Sequence, residues 1–323
     1  MANGTMNEFD LIARYFTRAV PAGMLGVGDD CALLPVAPGH VLATSTDMLV
    51  EHQHFFSNVD PVALGHKALA VNVSDLGAMG ARPLACLLGL SLPSVNEPWL
   101  SGFAKGFHAL AADTGCHLIG GDTTRSPNGI VISVTVMGQV RPEQALKRSA
   151  AQPLDDIWIT GTLGGADIAL RLLQGRLPLN PGLLRQVRGY LELPQPPCLF
   201  GADLAGIAHA AIDISDGLLQ DLGHILKASG CGANIQYEAL PVAPGLNELD
   251  PQLVQSAVLC GGDVYQLCFT APPSQADAVR ALADQHAIRI ERVGSVTAEP
   301  GLKITHHGKA VQTPASGGFD HFA

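Results

Sequence analysis

Apolar and polar positions along the first 140 residues predict a mixed unit of helices and strands. The opening run NEFDLIARYFTRAV places Leu11, Ile12, Tyr15 and Phe16 on one helical face, with Asn7 as a candidate N-cap. Further helices are predicted from DPVALGHK and NEPWLSGF, and strands from HVLATSTDML, PLACLLGLSL, CHLIGG and GIVISVTVMGQV. The predicted order is helix, strand, helix, strand, helix, strand, strand.

The pattern restarts after the proline-containing connector KRSAAQPLDD. A strand at IWITG, a glycine-rich turn and the helix ADIALRLLQG follow. Farther on, AAID leads through a Ser-Asp-Gly turn into the helix LLQDLGHILKAS, and VYQLCFTAP and IRIERVGSV are predicted strands. We therefore predict an α/β protein with two domains, residues 1–148 and 149–323.

Composition narrows the possible partners. The 323 residues carry a net charge of -10, which argues against nucleic acid because phosphate backbones are bound by surplus Lys and Arg. No apolar run has the length of a membrane span, and the N-terminus lacks the pattern of a secretory signal. Seven cysteines without a C-x-x-C pair favour buried free thiols in a reducing cytoplasm.

Five aspartates share one kind of position, beside small residues at or near the predicted end of an apolar element. They are Asp30, Asp47, Asp75, Asp122 and Asp213. Each alone is explained by a turn or a helix cap, and Asp30 precedes an apolar run, CALLPV, that resembles a buried strand. Together in one cleft they would repel each other unless a cation were bound. Oxygen ligands point to Mg²⁺ or Ca²⁺, and Mg²⁺ commonly binds a few carboxylates together with the phosphates of a substrate, so the set suggests phosphoryl transfer.

Two other segments have spacings that resemble ligand sites. His52 and His54 have the spacing of a zinc pair, but a binuclear zinc hydrolase needs further His ligands, and Phe56 stands where an H-x-H-x-D motif has its aspartate. The segment GTLGGADIAL could hold a phosphate at a helix N-terminus, yet it matches neither a P-loop nor a G-x-G-x-x-G motif. A tight strand-to-helix turn is the simpler interpretation.

Longer blocks resemble the thiamine-monophosphate kinase family. The blocks are GVGDDCALL, STDMLVEHQHF, KALAVNVSDLGAMGA, LIGGDTTRS, AIDISDGLLQDLGHILKAS and the closing GFDHFA, in unbroken order from about residue 7 to 323. The superfamily includes aminoimidazole ribonucleotide synthetase, selenophosphate synthetase and a hydrogenase maturation factor. The resemblance implies ATP-dependent phosphorylation of thiamine monophosphate to thiamine diphosphate. It also implies a homodimer whose N-terminal mixed sheets form a barrel, with ATP between that domain and an α/β C-terminal domain.

The resemblance also implies roles for individual residues. Eight residues match the family's ligands of several Mg²⁺ ions: Asp30, Ser45, Thr46, Asp47, Asp75, Asp122, Asp213 and Asp216. Those matching ATP contacts are Gly121, Asp122, Arg148 and Ser215, and those matching substrate contacts are His54, Asp263 and Phe319. Asp47, Asp122 and Arg148 would act most directly on the transferred phosphoryl group, by charge neutralisation and positioning.

One block departs from the family pattern. Relatives typically read G-G-E-D-Y-E-L where this chain has GGDVYQL, with Asp263, Val264 and Gln266 replacing three acidic residues. The change touches the expected substrate contact at Asp263. Two alternatives therefore stay open at this stage: another ATP-dependent enzyme of the superfamily, and a catalytically weak protein that binds thiamine phosphates.

Overall fold

The structure is a computed structural model that describes residues 8–312, without the side chains of residues 8 and 9. Asn7 and Phe319 lie outside the described residues. The chain divides into two compact units. The first comprises residues up to Leu76 together with Arg82–Pro142, and the second comprises Gly77–Ala81 and the chain from Glu143 onward. The functional division into residues 1–148 and 149–323 stays a prediction.

The N-terminal unit has the predicted order of elements. They are α1 (Glu8–Leu11), β1 (Val41–Val50), α2 (Pro61–Ala78), β2 (Arg82–Leu92), α3 (Glu97–Thr114), β3 (His117–Arg125) and β4 (Val131–Val140). Capping residues set the helix ends, since Asp60 accepts a hydrogen bond from the Val62 N–H at 2.9 Å and Asn96 caps α3. Gly115, in the left-handed region at φ 70°, ends α3.

The four strands form one mixed sheet in the order β1-β4-β2-β3, which leaves β1 and β3 at its two edges. The β2–β3 pair is parallel, and the other two pairs are antiparallel. Buried and half-buried residues alternate along β4, as expected when one face of a sheet is covered. Helices α2 and α3 pack against each other so closely that a Cβ on Gly65 or Gly106 would overlap the backbone of the other helix.

Three local predictions in this unit are wrong. The opening helix is short, because α1 gives way to a π-helical turn over Ile12–Phe16. The run CALLPV contains no strand, and Leu33 within it is 60% exposed. Strand β3 continues through Asp122 to Arg125, where a Gly-Gly-Asp turn was expected.

The C-terminal unit is built around a second, larger sheet. Its strands are β5 (Asp156–Thr160), β6 (Ala210–Asp213), β7 (Gly232–Gln236), β8 (Leu267–Ala271), β9 (Ile290–Thr297), β10 (Gly301–His306) and β11 (Lys309–Ala310). Its helices are α4 (Gly165–Leu173), α5 (Pro181–Glu192), α6 (Cys198–Asp203), α7 (Leu218–Ser229), α8 (Pro251–Cys260) and α9 (Ala276–Gln285). The strand order is β11-β10-β7-β9-β5-β8-β6.

Strand β5 shows why this sheet is covered on both faces. All five of its residues are buried, and successive side chains point to opposite sides. Ile157 and Ile159 join a core cluster with α4, α5, α7 and α8, whereas Trp158 stacks near Phe269 in a separate cluster with α6 and α9. The unit is therefore a three-layer arrangement of helices, sheet and helices.

The cysteines follow the expectation in part. All seven are free, and five are buried, but Cys31 is exposed and Cys260 is half-buried. None of the helices within residues 8–312 is long and apolar enough to cross a membrane.

Candidate active site

Strand β1 and helix α2 bring two carboxylates together in the N-terminal unit. The Ser45 hydroxyl donates a hydrogen bond to Oδ2 of Asp75 at 2.5 Å. The backbone N–H of Asp47 donates to Oδ1 of Asn72 at 2.9 Å. Asn72 and Asp75 are three residues apart on α2, and Ser45 and Asp47 are two apart on β1, so each pair shares one face. These periodicities fix the carboxylates of Asp47 and Asp75 on facing surfaces.

The surroundings of Asp47 disfavour its ionised form. Burial, together with the negative charge of Asp75, raises the pKa of Asp47 to about 6. The folded protein thus holds a carboxylate that either a proton or a cation would stabilise. Oxygen atoms from two carboxylates and a hydroxyl are a donor set suited to a hard divalent cation.

Other predicted ligands of this unit lie apart from that pair. The Thr46 hydroxyl donates to the backbone oxygen of Val134 at 3.0 Å, and strand alternation places it on the opposite face, so only its backbone faces the pair. Asp30 is exposed in a loop closed by the backbone bonds between Leu25 and Leu33.

Asp122 lies at the far edge of the sheet. It is exposed on β3, whereas Asp47 is on β1, and two strands separate them. Three strand spacings place the two backbones about 14 Å apart. Gly121 before it has φ 149°, and a Cβ there would meet the Leu88 backbone oxygen, so this position requires glycine. Within residues 8–312, no three His, Cys, Asp or Glu side chains gather as a ready metal site.

His54 is held by a tight turn. Its Nδ1 accepts a hydrogen bond from the Val50 N–H at 3.0 Å, which assigns the proton of the neutral ring to Nε2. His52 adopts a left-handed conformation at φ 69° and its ring lies near the Ser57 hydroxyl. The two rings therefore have different surroundings, and His54 Nδ1 is engaged by the backbone rather than placed for zinc.

In the C-terminal unit, the loop between β6 and α7 is organised by one carboxylate. Oδ2 of Asp221 accepts hydrogen bonds from the backbone N–H groups of Ser215, Asp216 and Gly217 at 3.1, 3.1 and 3.0 Å. Asp213 is buried at the end of β6, just before this loop. Burial raises the pKa of Asp221 to about 6, outweighing the opposite effect of the three donors.

The segment that departs from the family pattern is conformationally unusual. Asp263 and Tyr265 both have positive φ, 58° and 53°, in the sparsely populated left-handed region. The Tyr265 hydroxyl donates to Oδ1 of Asp263 at 3.2 Å, and the Asp263 N–H donates to the Ser215 backbone oxygen at 2.8 Å. The predicted substrate contact therefore adjoins the loop that Asp221 organises.

Arg148 occupies a short 3₁₀ turn in the same unit. Its side chain is exposed, and its backbone oxygen accepts a hydrogen bond from the Ser229 hydroxyl at the end of α7. Its role toward ATP stays a prediction, as do the roles of the other predicted site residues.

Two residues that shape the site were missed from the sequence. Asn72 has a helical i, i+3 relation to Asp75, and Asp221 follows the Ser-Asp-Gly turn within the first helical turn. Both spacings were visible, but an Asn within a helix and an Asp near a helix start have ordinary structural explanations. Only the tertiary contacts identify their partners.

Comparisons with known proteins decide the family. The models of the AIR synthase related protein match residues 28–140 for the N-terminal domain and residues 155–307 for the C-terminal domain. A thiamine-monophosphate kinase from Salmonella typhimurium is 42% identical over 323 residues, covering 98% of each chain. The chain belongs to the thiamine-monophosphate kinase family. This confirms the resemblance drawn from the motifs.

Solved structures of this family share the fold. The crystal structure of thiamine-monophosphate kinase from Stenotrophomonas maltophilia K279a is 42% identical, with a TM-score of 0.82 over 93% of this chain and 95% of the other. A structure described as AaThiL complexed with AMPPCP and TMP is 28% identical, with a TM-score of 0.75 over 89% of each chain. The predicted two-domain α/β fold is confirmed.

Replacing the Asp47 carboxylate should stabilise the metal-free protein. The folded pKa of about 6 lies above the unfolded value of about 3.9, so ionised Asp47 destabilises the fold above pH 6 and this effect fades as the pH falls toward 4. In EDTA at pH 8, Asp47→Asn should raise the Tm by roughly 3–6 °C, and at pH 5 the gain should shrink. Asp122→Asn, at an exposed carboxylate, is the control and should leave the Tm unchanged. An equal gain for Asp47→Asn at both pH values would contradict the account.

Removing the acceptor that organises the β6–α7 loop should destabilise the C-terminal unit. Asp221→Ala leaves three backbone donors without their partner and should lower the free energy of unfolding by about 2–4 kcal/mol. Asp221→Asn keeps an oxygen acceptor, so its free energy of unfolding should fall by less than half as much as that of the Ala variant. Denaturant unfolding measures both, with hydrogen exchange at residues 215–217 as the local readout. A loss below about 1 kcal/mol in the Ala variant would show that the three bonds do not hold the loop.

Proposed function

We propose that this protein transfers the γ-phosphoryl group of ATP to thiamine monophosphate and releases thiamine diphosphate and ADP. The observation that carries the proposal is the 42% identity to a thiamine-monophosphate kinase over 98% of both chains. The structural relative complexed with AMPPCP and TMP supports ATP as the donor and thiamine monophosphate as the acceptor. Two facing carboxylates beside a hydroxyl provide the local chemistry expected for a phosphate-handling enzyme.

We propose Mg²⁺ as the cation that these carboxylates hold. Asp47, Asp75 and Ser45 fit it best, because their oxygens are already close and because Asp47 is destabilised as an unpaired anion. Asp30, Thr46, Asp122, Asp213 and Asp216 are proposed as further ligands. When bound, Mg²⁺ neutralises phosphate charge as the phosphoryl group moves.

The acceptor needs little activation by the protein. A phosphate oxygen of thiamine monophosphate is already ionised near pH 7, so it can attack the γ-phosphorus directly. The side chains of the protein therefore bind and align the two phosphate groups, and Arg148 would contribute a planar cationic group to this alignment. This argues for direct transfer without a phosphorylated protein side chain.

We also propose a homodimer, built through the N-terminal sheet. Its uncovered face carries Leu42, Met48 and Leu87, which are 46%, 56% and 36% exposed, and both β1 and β3 are edge strands. Pairing β1 of one copy with β3 of another would close the sheets into the barrel that the family resemblance implies. It would also make the strand that carries Asp47 in one copy a neighbour of the strand that carries Asp122 in the other, whereas two strands separate them within one sheet.

The remaining assignments follow from the same proposal. Residues 1–148 would supply the cation and ATP phosphate ligands and the dimer contact, and residues 149–323 would complete the ATP and substrate sites. His54, Asp263 and Phe319 are proposed to contact thiamine monophosphate. Seven free cysteines are consistent with work in the reducing cytoplasm.

The proposal is tested with purified protein, Mg·ATP and thiamine monophosphate. Thiamine diphosphate and ADP should appear in equal amounts, and Asp47→Asn should lose most of this activity. Incubation with γ-labelled ATP alone should leave the protein unlabelled, as direct transfer requires. ADP release without thiamine diphosphate would contradict the proposed acceptor, and a stoichiometric label that the acceptor discharges would contradict direct transfer.

Asp263→Ala should weaken the acceptor site selectively. If the carboxylate contacts thiamine monophosphate, its removal should raise the KM for this substrate roughly tenfold, the scale of one hydrogen bond to a charged group, and leave the KM for ATP nearly unchanged. Tyr265→Phe is the matched control, since it removes only the hydrogen bond between Tyr265 and Asp263. If Asp263 serves only to hold its loop, both variants should lower the Tm and neither should change the KM for thiamine monophosphate.

A further inference from the structure

One peptide group connects the β6–α7 loop to the segment that carries Asp263. The N–H of the peptide between Ser215 and Asp216 donates to Oδ2 of Asp221 at 3.1 Å, and its oxygen accepts from the Asp263 N–H at 2.8 Å. Both polar atoms of this planar group are therefore engaged, one on each side. Rotating the group would break both hydrogen bonds, so the Asp221 carboxylate and the Asp263 N–H together fix its orientation.

The loop and the segment also touch along their backbones. A Cβ on Gly262 would overlap the Ser215 oxygen, and a Cβ on Gly217 would overlap the backbone of Cys260. Only glycine permits so close an approach at these two positions. Because the two backbones are packed this tightly, a shift of the loop would displace the segment.

Asp263 depends on this support because its own backbone conformation is unfavourable. It lies in the left-handed region with Tyr265, and non-glycine residues stay there only where the surrounding structure imposes that conformation. Two hydrogen bonds impose it from the end of β6 and the loop. The Ser215 oxygen accepts from the Asp263 N–H, and the Ile214 oxygen accepts from the Tyr265 N–H at 2.8 Å. The conformation of Asp263 therefore follows the position of Ile214 and Ser215.

Asp221 sets the position of the loop. Its Oδ2 accepts from three successive backbone N–H groups, those of residues 215–217. Successive N–H groups at the start of a helix form a site for an anion, and here a carboxylate of the protein itself occupies that site. Asp221 is only 3% exposed, so a shortened side chain would leave the three donors without an acceptor.

We propose that Asp221 is a positioning residue for the phosphate acceptor. Through the peptide between Ser215 and Asp216 it holds Asp263, the proposed contact to thiamine monophosphate, in its left-handed conformation. Ser215 and Asp216, proposed for ATP and Mg²⁺, lie in the same loop. One carboxylate thus aligns groups on the donor side with a group on the acceptor side. The proposal rests on the proposed function for the identity of the acceptor and for the role of Asp263.

A double-mutant cycle between Asp221 and Asp263 tests the proposal. Steady-state kinetics at 25 °C, on intact protein that a melting curve shows to be folded, give the KM for thiamine monophosphate of Asp221→Ala, Asp263→Ala and the double variant. Asp221→Asn tests rescue, because it keeps an oxygen acceptor. Leu282→Ala is the stability control, since Leu282 is buried on α9 in the separate core cluster with Trp158 and Phe269.

Asp221→Ala should raise this KM roughly tenfold, as the loss of one hydrogen bond to a charged group would, and Asp221→Asn should raise it less. Leu282→Ala should stay within twofold of the wild type. Once Asp263 is Ala, adding Asp221→Ala should change the KM less than twofold, because the group that Asp221 positions is already gone. An equal increase in both backgrounds, or an unchanged KM in folded Asp221→Ala, would overturn the proposal.

Hydrogen exchange separates this proposal from the proposed function. In Asp221→Ala the Asp263 N–H should exchange at least tenfold faster than in the wild type, and by a larger factor than in Leu282→Ala. Unchanged exchange at Asp263 would overturn the proposed link whatever the activity. Should Asp221→Ala fail to fold, Asp221→Asn decides both measurements, with a threefold change as the threshold. Wild-type protein that forms no thiamine diphosphate would contradict the proposed function instead.

Discussion

Burial of the Asp47 carboxylate, beside the negative charge of Asp75, is the constraint around which the N-terminal unit is arranged. The fold holds the two carboxylates together by pairing β1 with β4 and by joining β1 to α2 through two hydrogen bonds. The Ser45 hydroxyl donates to Asp75, and the Asp47 backbone N–H donates to Asn72. Without a cation or proton this arrangement is unfavourable, as the pKa of Asp47 near 6 shows. The metal-free fold is therefore less stable because of Asp47 and Asp75, and these same carboxylates would bind a cation and the phosphates attached to it.

The C-terminal unit meets a different requirement. Its loops hold backbone groups and side chains in fixed positions, and polar contacts within the unit provide this. The Asp221 carboxylate fixes the loop after β6. The Ser215 carbonyl in that loop accepts a hydrogen bond from the Asp263 N–H. Three residues after Asp263, the Gln266 side chain bonds to Thr160 of β5 and to the Gln195 backbone oxygen. These contacts connect the segment that carries Asp263 to the β6–α7 loop at one end and to β5 at the other.

Element types were predicted correctly from most of the long periodic runs, with the opening helix as the exception. Helices α2 and α3 and strands β1, β2 and β4 follow directly from apolar spacing and caps. Short apolar runs misled, since CALLPV forms no strand and the Gly-Gly-Asp segment continues β3. The sequence motifs identified the aspartates. Their spacing along the chain does not give the order of the strands, however, so it could not show that Asp47 and Asp122 lie on opposite edges of the sheet. The contacts of Asn72 and Asp221 likewise arise only on folding.

The proposed dimer makes one central claim, that phosphoryl transfer uses Asp47 of one copy and Asp122 of another. It is tested most directly by mixing two inactive proteins, Asp47→Asn and Asp122→Asn, under conditions that exchange subunits. In each hybrid dimer one site would then combine an intact Asp47 with an intact Asp122, so equal mixing should restore roughly a quarter of wild-type turnover. Activity that stays at the level of the separate variants, despite hybrid dimers seen by native mass spectrometry, would contradict the claim.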